Sequence, residues 1–328
     1  MKEFPLVSII IVNYNGLSLL KECFESLKKV NYPNFEIILV DNGSSDGSVD
    51  FIKKYYPKTI FLELGENLGF ALPNNKGVKK SNGTYLLFLN NDTIVSENFV
   101  SELVNIMELD KDVGIAQSLL LTKNGQIDSS GDFMDSLGIC FNSKKKVKEV
   151  SEIFSAKGAS MIIRRKLFEK LDGFDEKFFL TFEDVDLGWR SQILGYKVVV
   201  IPSSIVYHIG NKTINRIKKQ VTFHGYKNQI SMKFTNYELS KAIKTLILFF
   251  LVYGIRELKI WFDYQQKGQT DITATKYEDK IALKPSIGDI FRALGWIIKN
   301  ILYLYKKRKW ISKNRKLSTD QIMSKFSI

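Results

Sequence analysis

Leu6-Val7-Ser8-Ile9-Ile10-Ile11-Val12 is a near-continuous run of apolar, mostly β-branched residues, the pattern of a strand buried on both faces. Asn13-Tyr14-Asn15-Gly16 breaks the run, and Leu19, Leu20, Cys23, Phe24 and Leu27 then recur at helical spacing. A second strand, Glu36 to Val40, ends in Asp41-Asn42-Gly43-Ser44-Ser45-Asp46-Gly47-Ser48, a stretch made of turn-forming residues. The alternation continues with a helix over 49–56, a short strand at 60–62, a helix over 74–80 and a strand over 85–89. Strands alternating with helices predict parallel βαβ units in an α/β fold. In such sheets ligands bind beyond the carboxyl ends of the strands. The polar ends after Val12, Val40 and Leu89 are therefore expected to converge on one crevice.

Beyond Val95 the rhythm weakens. Residues 123–150 are polar and contain glycine, and read as a hairpin with a mobile loop carrying Lys144-Lys145-Lys146. A strand over 158–163, a helix over 165–171, a helix over 184–194 and a strand over 197–201 follow. From about Gly210 the pattern turns helical and basic. Ile287, Ile290, Phe291, Leu294, Ile297, Ile298, Ile301 and Leu302 follow i, i+3, i+4, i+7 spacing, with Arg292 and Lys299 assigned to the other face. The predicted organisation is an α/β domain over 1–210 and a basic amphipathic helical extension over 211–328.

Charge sharpens that division. The chain holds 48 Lys and Arg against 35 Asp and Glu, and from Asn211 onward the count is 24 against 8. The excess of +13 thus lies wholly in the last third, which points to an anionic partner for it. Its apolar stripes with Phe, Trp and Tyr, and the cluster Lys306-Lys307-Arg308-Lys309-Trp310, favour the interface of an anionic membrane. Packing on the catalytic domain, or on a second copy in a homo-oligomer, is the alternative. The longest apolar run, Leu246 to Ile255, falls short of the ~20 residues a spanning helix needs. Two cysteines, Cys23 and Cys140, without metal spacing fit a reducing compartment, and no secretory signal precedes the first strand. The expected location is cytoplasmic, peripheral at the inner face of the cell membrane.

The candidate chemistry centres on two acidic positions. Phe178-Phe179-Leu180-Thr181-Phe182-Glu183-Asp184-Val185-Asp186-Leu187-Gly188-Trp189-Arg190 sets three carboxylates among aromatic and apolar neighbours. Carboxylates in such surroundings can accept a proton near neutral pH. Asp92 closes the apolar run ending at Leu89. Together they suggest a cleft with a base end and a metal end.

In order along the chain, Val7 to Asn15, Val40 to Gly47, Asn67-Leu68-Gly69-Phe70-Ala71, Leu89-Asn90-Asn91-Asp92-Thr93 and Glu183-Asp184-Val185-Asp186-Leu187 resemble glycosyltransferase family 2, its rhamnosyltransferase-like branch in particular. The resemblance covers about residues 5–210. It implies a GT-A fold, with a Rossmann-like, mostly parallel central sheet flanked by helices, and inverting transfer from a nucleotide-diphosphate sugar, UDP- or dTDP-linked. It makes Asp184 the general base, Asp92 a ligand of Mg²⁺ or Mn²⁺, and His208 a second ligand. Asn13, Asp41, Asn67, Asn75 and Asn91 become contacts to the nucleotide sugar, with Asp41 at the base or ribose. Glu183, Trp189 and Arg190 are candidate contacts to acceptor or diphosphate. The family's Asp-x-Asp is here Asn90-Asn91-Asp92, so the first carboxylate is missing. Metal affinity should then be modest, with the donor diphosphate supplying much of the coordination. The acceptor is expected to be a glycan or a lipid-linked hydroxyl in cell-surface glycan synthesis.

Plainer readings stand beside these. Asp184 and Asp186 also suit the first turn of a helix, Asp41 and Asp46 suit Asx-turns, and His208 suits a structural role. Of Trp189 and Arg190, one is expected to pack while the other meets a ligand. Two other functions compete. A nucleotidyltransferase would carry a Gly-rich basic loop after the first strand, and Asn13-Tyr14-Asn15-Gly16 is not one. A nucleic-acid-binding protein would show base-stacking motifs among its basic residues, and the last third shows apolar stripes instead. No nucleic-acid partner is expected.

Overall fold

The computed structural model describes residues 4–135, 138–210, 218–267 and 287–326. The chain divides into two compact units, 1–213 with 314–328, and 214–313. The expected boundary at 210–211 adjoins residues 211–217, which lie outside the described residues.

In the first unit the strands are β1 (Val7–Asn13), β2 (Phe35–Asp41), β3 (Ile60–Glu63), β4 (Tyr85–Asn90), β5 (Thr93–Val95), β6 (Val113–Leu121), β7 (Ile127–Ser129), β8 (Asp132–Met134), β9 (Cys140–Asn142), β10 (Ser151–Glu152), β11 (Ser160–Arg164) and β12 (Lys197–His208). The helices are α1 (Leu17–Leu27), α2 (Ser48–Tyr55), α3 (Ala71–Val78), α4 (Phe99–Leu109), α5 (Arg165–Lys170), α6 (Glu183–Ile193) and α11 (Thr319–Phe326). The main sheet runs β10-β12-β6-β11-β4-β1-β2-β3, with β5 added to β12 and β7 to β6, and β8 and β9 pair separately.

The β1–β4 half of the sheet is parallel, and β6 and β12 are parallel to each other, while β11 runs antiparallel between β4 and β6. Val7, Ile9, Ile10 and Ile11 are completely buried, because helices cover both faces of β1. One core cluster joins Val7, Ile9 and Ile11 to Leu20, Phe24 and Leu27 of α1, to Leu87 and Leu89, and to Phe99, Leu103 and Met107 of α4.

Three features depart from the pattern read in the sequence. β6 and α4 occupy the segment where the alternation seemed to fade. β12 does not stop at Ile201: its pairing with β6 shifts register between Ile201 and Ile205 and resumes to Tyr207. Pro202 is accommodated at that irregularity, the setting in which a sheet tolerates a residue without an N–H. Residues 314–328, given to the extension, belong with the first unit. There Lys316 and Leu317 donate backbone N–H bonds to Ile193 O, and Phe326 packs edge-on to Phe133 and Phe154.

The second unit is helical: α7 (Lys218–Asn236), α8 (Leu239–Lys267), α9 (Ile287–Lys299) and α10 (Ile301–Asn314). Tyr226, Ile230, Phe249, Ile290 and Ala293 form its small core, with Leu246, Tyr253, Leu294 and Ile297 against it. The predicted stripe from 287 to 302 is split. Ile290, Leu294 and Ile297 face that core, whereas Phe291, Ile298 and Leu302 are exposed. The side chain of Ile287 lies outside the described residues. On α8, Leu239, Ile243, Ile247, Leu251, Ile255, Leu258 and Phe262 are exposed at spacings of three and four, one continuous apolar line. Among the described residues, no helix is long and apolar enough to cross a membrane.

Candidate active site at the carboxyl end of the sheet

The register of β1, β2 and β4 brings Asn13, Asp41 and Asn90 level at one end of the sheet, Asn13 opposite Asp41 and Val12 opposite Asn90. Side-chain amides tie these ends together. Asn91 Nδ2 donates to Asn13 Oδ1 at 2.7 Å, and Asn13 Nδ2 donates to Ser48 Oγ at 3.0 Å and Ser44 Oγ at 3.1 Å. Asp41 Oδ1 lies 3.5 Å from the same amide, and Asp41 Oδ2 accepts from the backbone N–H groups of Gly43 and Ser44. Asp41 therefore does make the Asx-turn that its sequence allowed. Asp46 does likewise with Ser48 and also accepts from Leu17 N at 2.8 Å, at the start of α1.

Asn67 sits on the loop after β3, where its Oδ1 accepts from Asn42 Nδ2 and Gly69 N, both at 3.0 Å. Gly69 is essential to this loop. Its φ is +83°, and an added Cβ would lie 2.2 Å from Phe179 O, so only glycine lets the loop close on the segment before α6. Asn75 is engaged within the protein: its amide donates to Phe174 O and Glu176 Oε1, and its oxygen accepts from Phe174 N.

His208 reaches Asp92 because β5 and β12 are antiparallel with His208 opposite Thr93, while Ile209 N donates to Asp92 O. His208 Nε2 is 3.4 Å from Asp92 Oδ1, and His208 Nδ1 is 2.8 Å from Asp128 Oδ2 on β7. Burial alone would pull the imidazole pKa down; the carboxylates of Asp128 and Asp92 outweigh it and push it up to about 9. Asp92 Oδ1 is buried and accepts no hydrogen bond of normal geometry. A buried carboxylate oxygen without such a bond, facing a histidine whose other nitrogen is oriented by a second carboxylate, fits a divalent cation only where the cation displaces the Nε2 proton of His208. Among the described residues no group of three or more His, Cys, Asp or Glu side chains could hold a metal ion.

Asp184 is the second residue of α6, after a backbone with three residues in the left-handed region, Phe179, Thr181 and Phe182, at φ +62°, +65° and +66°. Thr181 is β-branched and costly there, and such strain is often held at functional sites. Asp184 is only partly buried. Its Oδ2 accepts from Gly158 N at 3.1 Å and its Oδ1 from Val185 N at 2.8 Å. The next residue, Ala159, accepts at its carbonyl from Asn90 N. That short relay, from α6 through the turn before β11 to the end of β4, brings Asp184 to the same edge as Asp92.

Trp189 and Arg190 are both fully packed, with 0% and 3% of their surface exposed. Arg190 donates Nε to Asp186 Oδ2 at 2.7 Å, and its two terminal nitrogens to Leu171 O and Gly173 O. Trp189 lies edge-on to Phe154. Glu183 is buried beside Asp184 at the helix start. Asp128, Asp132 and Lys157 were not singled out in the sequence; they sit on short strands and turns whose pairing only the three-dimensional structure reveals.

This sheet, with the polar ends of β1, β2 and β4 level at its carboxyl edge and helices on both faces, is the GT-A arrangement. The model of the family described as "Glycosyl transferase family 2" matches residues 8–172, half of the chain, and the chain belongs to that family. It is 30% identical over 220 residues to "O-antigen biosynthesis protein RfbC" of Myxococcus xanthus, spanning 62% of this chain but 17% of that protein. It is 29% identical over 234 residues to "Uncharacterized glycosyltransferase MJ1057" of Methanocaldococcus jannaschii, spanning 68% of this chain and 78% of that one. Among solved structures, S. aureus TarS 1–349 in complex with UDP superposes with a TM-score of 0.57 at 17% identity, covering 94% of this chain and 88% of that one. The mannosyltransferase PcManGT of Pyrobaculum calidifontis, in complex with GDP-Man and Mn²⁺, gives 0.54 at 15% identity, covering 95% and 86%.

Proposed function

We propose that this protein is an inverting glycosyltransferase that moves a sugar from a UDP- or dTDP-linked donor to a hydroxyl on a glycan or lipid-linked acceptor, in the synthesis of a cell-surface polysaccharide. The observation that carries the reading is the convergence of Asn13, Asp41, Asn91, Asp92 and Asp184 at one edge of the sheet. The nucleotides held by TarS and PcManGT, and the O-antigen role named for the Myxococcus relative, support the donor class and the product class.

In this reading Asp41, Asn13, Asn67 and Asn91 line the nucleotide side. Asp184 takes the proton of the acceptor hydroxyl, whose oxygen bonds to the anomeric carbon as the bond from that carbon to the diphosphate oxygen breaks. Attack opposite the leaving group inverts the anomeric centre. Asp92 and His208 would hold Mg²⁺ or Mn²⁺, which would neutralise charge on the departing diphosphate. Asp128 fixes the ring orientation of His208 through Nδ1. The test is a nucleotide-sugar panel read by mass spectrometry, followed by proton NMR of the product. Retention of the donor's anomeric configuration would overturn the mechanism.

The exposed line on α8 supports peripheral binding to an anionic membrane at the cytoplasmic face. Lys241, Lys244, Arg256 and Lys259 share its helix, and the stretch 306–309 is wholly basic. Ile247 and Leu251 are more than half exposed. Replacing both with Glu is expected to lower binding to phosphatidylglycerol vesicles by at least about tenfold, since burying each side chain contributes ~1.5–3 kcal/mol. Unchanged vesicle sedimentation, with a dimer lost in light scattering, would instead assign the stripe to a second copy of the chain.

A further inference from the structure

The turn that leads into β11 touches two carboxylates in succession. Lys157 Nζ lies 2.8 Å from Asp132 Oδ1, and the next residue, Gly158, gives its backbone N–H to Asp184 Oδ2 at 3.1 Å. Asp132, on β8, is 1% exposed, and its other oxygen accepts from Ser155 Oγ at 3.1 Å. The backbone is pinned as well: Lys157 N donates to Gln117 Oε1 on β6 at 2.6 Å, and Phe154 N donates to Asp132 O at 2.8 Å. Gly158 lies under the Phe70 ring, which a Cβ would approach to 2.8 Å. The turn is therefore held on every side, and what it presents is one amide aimed at Asp184.

Burial opposes the charge on Lys157, yet Asp132 and Asp184 together push its pKa up, so the ammonium persists beside the two acids. Its ion-pair partner is Asp132, while it acts on Asp184 through space. The Lys157 side chain is 32% exposed and Asp132 is buried, so the pair is weak evidence for stability: desolvation of the acid and solvent screening of the cation offset much of the attraction. This one has a geometric consequence instead. The pair sets the turn, the turn sets the amide, and the amide occupies one site on the carboxylate of Asp184. With Val185 N that makes two of the roughly four lone-pair sites of a carboxylate, which leaves room for an acceptor hydroxyl.

We propose that the Asp132–Lys157 pair is a positioning device for Asp184, fixing the Gly158 amide against it and holding a cation close to it that is bonded elsewhere. This rests on the reading of Asp184 as the general base.

The test uses the full chain with Lys157→Met, Lys157→Arg and the double variant Asp132→Asn with Lys157→Met. Turnover is followed with the nucleotide sugar selected from the panel, UDP binding by calorimetry with Mn²⁺, and folding by thermal melts. Lys157→Met is expected to lower kcat by about 10²-fold, the scale of a misplaced reacting group, with UDP affinity little changed. Lys157→Arg keeps the charge and is expected to recover most of that loss. The double variant removes both charges and so restores a folded, neutral interior, but kcat should stay low.

A double variant that regains kcat along with its melting temperature would show the pair to be merely structural and overturn the proposal. Equal losses in the Met and Arg variants would do the same. Asp184→Asn with normal turnover would instead remove the base reading itself. Asp184→Asn inactive alongside a fully active Lys157→Met would remove only the positioning role.

Discussion

Asp184→Asn is expected to lower transfer by about 10²–10⁴-fold, the usual contribution of a positioned general base, while UDP affinity stays close to that of the unaltered protein. The amide is nearly the same size and still accepts hydrogen bonds at its oxygen, so the contact from Gly158 N can persist. What it lacks is the capacity to take a proton. The loss should therefore fall on kcat and leave donor binding intact. Asp92→Ala should behave in the opposite way. It removes the buried oxygen that faces His208, so the part of UDP binding that depends on Mn²⁺ should vanish in calorimetry, leaving the metal-independent part. Normal turnover by Asp184→Asn would end the proposed mechanism, and Mn²⁺-dependent UDP binding by Asp92→Ala would end the assignment of that residue to the metal.

The parts of this site that could be read from the chain are those carried by short-range pattern. β1 and β4 are buried on both faces, and β2 over its last four residues, so those stretches are largely apolar and each ends abruptly in polar turn residues. That contrast located Asn13, Asp41 and Asn91 to Asp92 without any knowledge of pairing. β6 was missed for the converse reason. It is central and buried, but it carries Gln117 and Ser118, whose partners are remote in sequence. Ser118 bonds to Ser160 and Ser204, and Gln117 to Lys157 N. Polar residues satisfied in this way break the apolar signature although they cost little in the folded state. The end of β12 was hidden by Pro202. Once the register shift carries the strand past it, His208 comes to lie opposite Thr93 and beside Asp92.

Asp128 belongs to a three-residue strand with no periodicity of its own, so its place behind His208 follows only from β7 pairing with β6. Resemblance to a family supplied roles for Asp92 and Asp184. It could not say which neighbouring acids hold the protein together.

That last distinction sets up the largest expected effect on stability. Asp184 and Asp186 share the first turn of α6, yet their surroundings differ completely. Asp186 is 0% exposed and pairs with Arg190 one turn later, whose remaining donors satisfy Leu171 O and Gly173 O. The guanidinium thus closes the end of α5 and the Asp172-Gly173 turn onto α6, and Asp186 is the counter-charge that makes burying it tolerable. Asp186→Ala leaves a cation in the interior without its partner, which typically costs ~3–5 kcal/mol. For a unit of this size that corresponds to a fall in melting temperature of about 6–20 °C. Asp184→Ala loses only two hydrogen bonds to backbone amides at a partly exposed position, about 1–3 kcal/mol in all.

The two substitutions should separate cleanly when thermal melts are set beside turnover. Asp186→Ala at permissive temperature should retain a substantial share of its activity and melt early. Asp184→Ala should melt late and be inactive. The reverse pairing, an inactive but stable Asp186 variant, would move the proton-accepting role two residues along the helix.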